Sequence, residues 1–181
     1  MRKRAFWIGI SVMLLALASV SIAWAASPNF RAHLSGDQEV PPVGVVNISL
    51  AQGQAIFQLS PDGNEMYYKI NAANIENVFM AHIHKGEPGT NGPIVVWLYP
   101  GTAVSPGPLG QGRTDGVLVE GTFTAADFIN QANTGVNTLE DLLGLFANGA
   151  AYVNIHTNDG VPPTNTGPGD YPGGEVRGHI H

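Results

Sequence analysis

Apolar and polar side chains alternate along most of this chain. Phe30, Ala32 and Leu34 alternate with Arg31, His33 and Ser35, the period of a strand with one buried face. Val45 to Leu59 forms a second strand region, in which Ala55, Phe57 and Leu59 alternate with Gln54, Ile56 and Gln58. Pro61-Asp62-Gly63-Asn64 is a turn signal, and Glu65 to Asn71 is the return strand of a hairpin over 54–71. Val78 to His84 is the next strand, and the apolar run Pro93 to Tyr99 reads as a central one. Val117 to Phe123, Ala150 to Thr157 and Glu175 to Ile180 complete the set. The period changes once. Thr124 is placed to cap a short helix over Ala125 to Gln131, and Thr138 a second, with Leu139, Leu142, Leu143 and Phe146 at helical spacing before Asn148-Gly149. Short strands, tight turns and a helical excursion around 125–147 predict an all-β fold, an antiparallel sandwich or barrel.

Composition narrows this picture at the N-terminus. Arg2, Lys3 and Arg4 precede a nearly continuous apolar run from Phe6 to Val20, followed by Ala23-Trp24-Ala25. That is the pattern of a secretory signal peptide over residues 1–25, cut after Ala25, with one domain over 26–181. The apolar run is shorter than the roughly 20 residues a membrane-spanning helix needs, so no membrane span is expected after cleavage. The expected location is exported: periplasm, cell surface or extracellular. The formal charge of the whole chain is −6, and loss of three basic residues makes the mature domain more acidic still. That argues against nucleic acid as a partner. There is no Cys, so thiolate chemistry and disulfides are excluded.

Histidine carries the candidate chemistry. His82 and His84 share one face of an extended run, His156 ends another, and His179 and His181 form a second His-x-His pair. Imidazoles without thiolates suit copper or zinc. The expected metal ligands are His82, His84 and His156, with His179 or His181 completing the set. The arrangement is similar to that of copper-zinc superoxide dismutases, which also place a His-x-His pair and more distant histidines on a β-sandwich. Glu175 and Arg177 share a face and are expected to join Asn154 and His156 in a polar network if the last strand pairs with 150–157. Glu39, before Pro41-Pro42, is expected to cap a bend and is counted with Glu175, Arg177 and Asn154 as part of the structural polar network. His33 is expected at a surface or edge, and Trp97 and Tyr99 at the core and its rim.

The chain resembles the CHRD domain, the family named after chordin. The resemblance rests on Leu34-Ser35-Gly36-Asp37-Gln38-Glu39-Val40-Pro41-Pro42, on Gly53 to Phe57, and on Ala81-His82-Ile83-His84 with Gly86 and Gly92-Pro93. It continues through Tyr152 to Thr157 and Gly174 to Gly178. These pieces span nearly the whole mature chain in the family's order. The resemblance implies a β-sandwich of immunoglobulin-like character and no established enzymatic activity. The insert Asp159 to Pro172 and the His-rich ending depart from the family's pattern. Together these readings lead to an exported binding or structural module without catalysis, its partner an unknown protein or a metal. The alternative is a copper or zinc binding protein, and a dismutase-like redox enzyme comes third.

Overall fold

The structure is a computed structural model describing residues 29–181. The signal peptide expected over 1–25 lies outside the described residues. Eight strands form one antiparallel sheet: β1 (Asn29–Ser35), β2 (Gln52–Leu59), β3 (Met66–Glu76), β4 (Val78–Lys85), β5 (Ile94–Tyr99), β6 (Arg113–Phe123), β7 (Ala151–Thr157) and β8 (Val176–His179). Their spatial order is β5-β4-β7-β8-β1-β2-β3-β6. The sheet curls until its edges approach, giving a nearly closed barrel. Tyr68 on β3 reaches across it to donate to the Leu98 carbonyl on β5 at 2.8 Å. The expected pairing of the last strand with 150–157 is present, with Asn154 opposite Arg177 and Tyr152 opposite His179.

The alternation of the sequence becomes the inner wall. Ala32, Leu34, Ala55, Phe57, Met66, Tyr68 and Ile70 all point inward and are buried. Helix α1 (Gln131–Thr134) is a single turn, and α2 (Leu139–Ala147) buries Leu139, Leu142 and Phe146. Phe146 packs on Phe30 and Phe57 at centroid separations of 5.2 and 5.4 Å. The Thr138–Asp141 capping box starts α2, satisfying main-chain N–H groups that no preceding turn can reach.

Three expected elements are corrected. Residues 45–50 are extended but do not join the sheet, because side chains take their polar groups. Tyr171 Oη donates to Val46 O and accepts from Ile48 N, each at 3.2 Å, and Asn47 Nδ2 donates to Glu175 O at 2.7 Å. The helix expected over 125–131 is a 3-10 turn over Ala125–Asp127. Ile129 N then donates to Val95 O, drawing the chain along β5 instead of into a helix. Strand β6 begins at Arg113 instead of Val117, because β3 continues past a bulge near Asn74 (φ +57°), whose N–H donates to Asp115.

β4 and β7 differ from β1, β2 and β3, which bury mainly one face. Every residue of β7, and most of β4, is buried. Ala81, Ile83, Val153 and Ile155 fill the barrel. The opposite face carries His82, His84, Tyr152, Asn154 and His156, and surface loops cover it. The seam between these strands and β1 is β8, whose backbone passes tightly under β1. A methyl group at Gly178 would collide with the His33 carbonyl. Gly178→Ala should therefore cost about 2–4 kcal/mol or prevent folding, read from urea denaturation. A midpoint within error of wild type would refute this close approach.

Candidate metal centre

Period-two geometry places His82 and His84 together outside the barrel, because Ala81 and Ile83 are drawn into the core. In the β4–β7 register His82 faces Asn154, His84 faces Tyr152 and Met80 faces His156. His156 is therefore the diagonal neighbour of His82, within side-chain reach. His82 Nδ1 lies 3.1 Å from His156 Nε2. The His84 ring lies 5.5 Å from that of His82 and 6.1 Å from that of His156, centroid to centroid. One nitrogen from each of the three falls within 4.8 Å of the others.

The tautomers follow from the loops. His84 Nδ1 lies 2.9 Å from the Gly92 carbonyl, and His156 Nδ1 3.0 Å from the Pro172 carbonyl. A carbonyl only accepts, so both Nδ1 atoms carry hydrogen and both Nε2 atoms present a lone pair. His84 Nε2 and His82 Nε2 are buried without any hydrogen-bond partner, an arrangement that costs about 1–3 kcal/mol for each orphaned group. Burial is the main reason all three imidazoles stay neutral. It pushes His84 down to about 4, and it lowers His82 further, helped by the neighbouring His156 and His84, and His156 further, helped by His84.

Aromatic side chains wall the cluster. Trp97 meets His82 edge-on at 4.3 Å, and Tyr152 stacks on His84 at 4.9 Å with an interplanar angle of 6°. The Arg177 guanidinium lies over the Tyr152 ring, 3.8 Å from its centroid. Arg177 pairs with Glu39 at 3.1 Å and donates to Thr90 O at 2.9 Å and to Asn91 Oδ1. It thereby fastens the loop that presents Gly92 O to His84. Glu39 Oε1 also accepts from Val40 N at 2.9 Å, as expected of a carboxylate at a bend. Asn154 abuts Glu39 beside Gly174, where an added Cβ would lie 2.5 Å from Glu39 Oε2 and 2.7 Å from the Asn154 amide.

Glu175 does not join this network. Its carboxylate accepts from Ser49 Oγ at 2.5 Å, Thr157 Oγ1 at 2.6 Å and Gly169 N at 2.8 Å. Glu175 precedes β8 and faces the long loop after β7, which it ties down, while Arg177 serves the loop after β4. Nor do the terminal histidines meet the cluster. His179 packs against Tyr152 with Nδ1 3.1 Å from Gly149 O, and His181 is exposed beside β1. Tyr152 stands between His179 and the triad, and His181 is paired with Arg31, on the far side of β8. Sequence reasoning missed the two main-chain acceptors, Gly92 and Pro172. Only the Gly92-Pro93 motif and the 159–172 insert hinted that loops matter here.

The Glu39–Arg177 pair is the most exposed to a test by mutation. Both side chains are 1 % accessible, and removing one partner of a buried ion pair costs about 3–5 kcal/mol because the other charge stays buried. Glu39→Ala should lose that much stability by urea denaturation, whereas Glu39→Leu with Arg177→Met should lose distinctly less. Equal losses would show that the charges themselves do not matter.

The profile of one known family, described as the CHRD domain, matches residues 30–180. A search of curated proteins gave no match, and a search of solved structures gave none either. CHRD domains occur in secreted proteins, and the family supports a structural or binding module. Among the described residues no helix is long and apolar enough to cross a membrane. The match takes in all eight strands except Asn29 at the start of β1, and every residue of the histidine cluster, and this chain belongs to the CHRD domain family.

Proposed function

We propose that this CHRD domain is an exported metal-binding module that holds one copper or zinc ion through His82, His84 and His156. The observation that carries this reading is the fixing of two imidazoles by main-chain carbonyls. A metal-ligating histidine characteristically donates its other ring N–H to such an acceptor, which sets the tautomer and the ring orientation. Here Gly92 and Pro172 do so for His84 and His156. The donor set also suits the ion. Nitrogens about 2.0–2.1 Å from a tetrahedral zinc stand about 3.4 Å apart, and one nitrogen of each imidazole lies within 4.8 Å of the others. Export rests on the leader pattern over 1–25 and on the secreted setting of the family. Burial of all three rings, each no more than 8 % exposed, favours holding an ion over turning over a substrate at it.

Calorimetric titration of the purified protein with copper or zinc should show one ion per chain. Saturation at a hundredfold excess over Kd contributes about 2.7 kcal/mol, which raises Tm by about 5–10 °C at this size. His84→Gln or His156→Gln should abolish both effects, and His181→Gln should leave them intact. Absence of heat with zinc, with Cu(II) and, anaerobically, with Cu(I) overturns the reading.

The pH dependence is also fixed by sign. Protons compete with the metal for the same lone pairs. Burial holds the imidazoles neutral well below their ordinary range, His84 down to about 4, so the competition moves to lower pH. Affinity should change less than about threefold between pH 7.5 and 5.5, where three ordinary histidines of pKa ~6.5 would weaken it about a thousandfold. A thousandfold fall would show that the ions bind at exposed histidines instead.

A further inference from the structure

The cluster differs from an ordinary zinc site in what surrounds it. Among the described residues the group within ligand distance consists of three imidazoles and contains no carboxylate. The nearby carboxylate of Glu39 is held by Arg177 and by Val40 N, and Glu175 is occupied by Ser49, Thr157 and Gly169. The nearest formal charge stacked on the site is positive: Arg177 lies on Tyr152, which lies on His84. The site is also closed. Trp97 covers His82, Phe79 flanks His156 at 6.5 Å, and the loops supplying Gly92 and Pro172 cover the rest.

A divalent ion placed there keeps its full double charge. No ligand neutralises it, and little water or free anion can reach it. The cost of burying an ion in a low-dielectric site grows with the square of its charge, about fourfold from a monovalent to a divalent ion of equal size. Zinc commonly takes four ligands in a tetrahedron. A monovalent ion bears only the smaller charge cost and needs no fourth ligand when three neutral nitrogens satisfy it, and imidazole is a suitable donor for copper.

Resting on the histidine-triad reading above, we propose that this centre selects monovalent copper, Cu(I), over Zn(II) and Cu(II). Binding is a simple association, with three nitrogen lone pairs donated to the ion and no change in its oxidation state. The preference has a second consequence. Copper held here is stabilised in the reduced form, so Cu(II) supplied with ascorbate is retained as Cu(I).

The test is an anaerobic competition of the purified protein against bicinchoninate for Cu(I), beside competition titrations with Zn(II) and Cu(II). Cu(I) should bind at least about tenfold more tightly than Zn(II), a difference of about 1.4 kcal/mol. The copper-loaded protein should stay silent in electron paramagnetic resonance after exposure to air. Zn(II) or Cu(II) binding as tightly as Cu(I), with loss in His156→Gln, overturns the selectivity while leaving the triad as a metal site. No binding of any of the three ions overturns both proposals. Asn154→Asp, which sets a carboxylate opposite His82 in the register, should narrow the Cu(I) to Zn(II) ratio by about tenfold or more. An unchanged ratio in a folded Asn154→Asp protein counts against the charge argument.

Discussion

Double burial of β4 and β7 is the constraint on which the rest of this molecule depends. A strand in a curled antiparallel sheet usually hides one face and wets the other. These two hide both, the inner face in an apolar barrel and the outer face under loops. Polar side chains on that outer face cannot rely on water, so each must find a partner or remain costly. The identities of the partners then decide what the face can do. His82, His84 and His156 converge because Ala81, Ile83, Val153 and Ile155 are pulled the other way.

The two covering loops are held by different carboxylates. Glu39 and Arg177 fasten residues around Thr90 and Asn91, and through them the Gly92 carbonyl. Glu175 gathers Ser49, Thr157 and Gly169, and through Thr157 Oγ1, which accepts from Tyr171 N at 2.9 Å, it settles the stretch that presents Pro172. Two separate polar clusters thus serve two imidazoles. One contains a compensated ion pair. The other is a carboxylate answered by neutral donors, which spreads its charge over hydroxyls and a main-chain amide. Gly174 lets the first cluster close, since any side chain there would strike Glu39 and Asn154.

Much of the barrel was legible in the sequence, for reasons particular residues make clear. Phe30, Ala32 and Leu34 keep a strict period of two, and Thr138 with Asp141 is a helix start written in four residues. The His82–His84 pair was legible because neighbours two apart on a strand share a face whatever the rest of the fold does. His156 was legible as a candidate by its residue type, though its approach to His82 depends on register. The pairing of Glu39 with Arg177 spans the whole domain and leaves no periodic trace. A carbonyl such as that of Pro172 has no side-chain signature at all. Residues 45–50 look like a strand in sequence because alternation reports extended backbone; it does not report whether another strand or only side chains such as Tyr171 will satisfy that backbone.

The placement of β8 orders events in time. It follows every other strand in sequence, yet it lies between β7 and β1, and its Arg177 reaches back 87 residues to Thr90. A chain delivered from its N-terminus, through a ribosome or a translocation pore, presents β1 to β7 before the strand that joins them exists. Until β8 arrives, the barrel has an open seam and the loop carrying Gly92 lacks its anchor. The three imidazoles can therefore reach their mutual positions only after the chain has emerged in full. Any ligand of the triad can therefore be bound only by the finished chain, and not by one still being made.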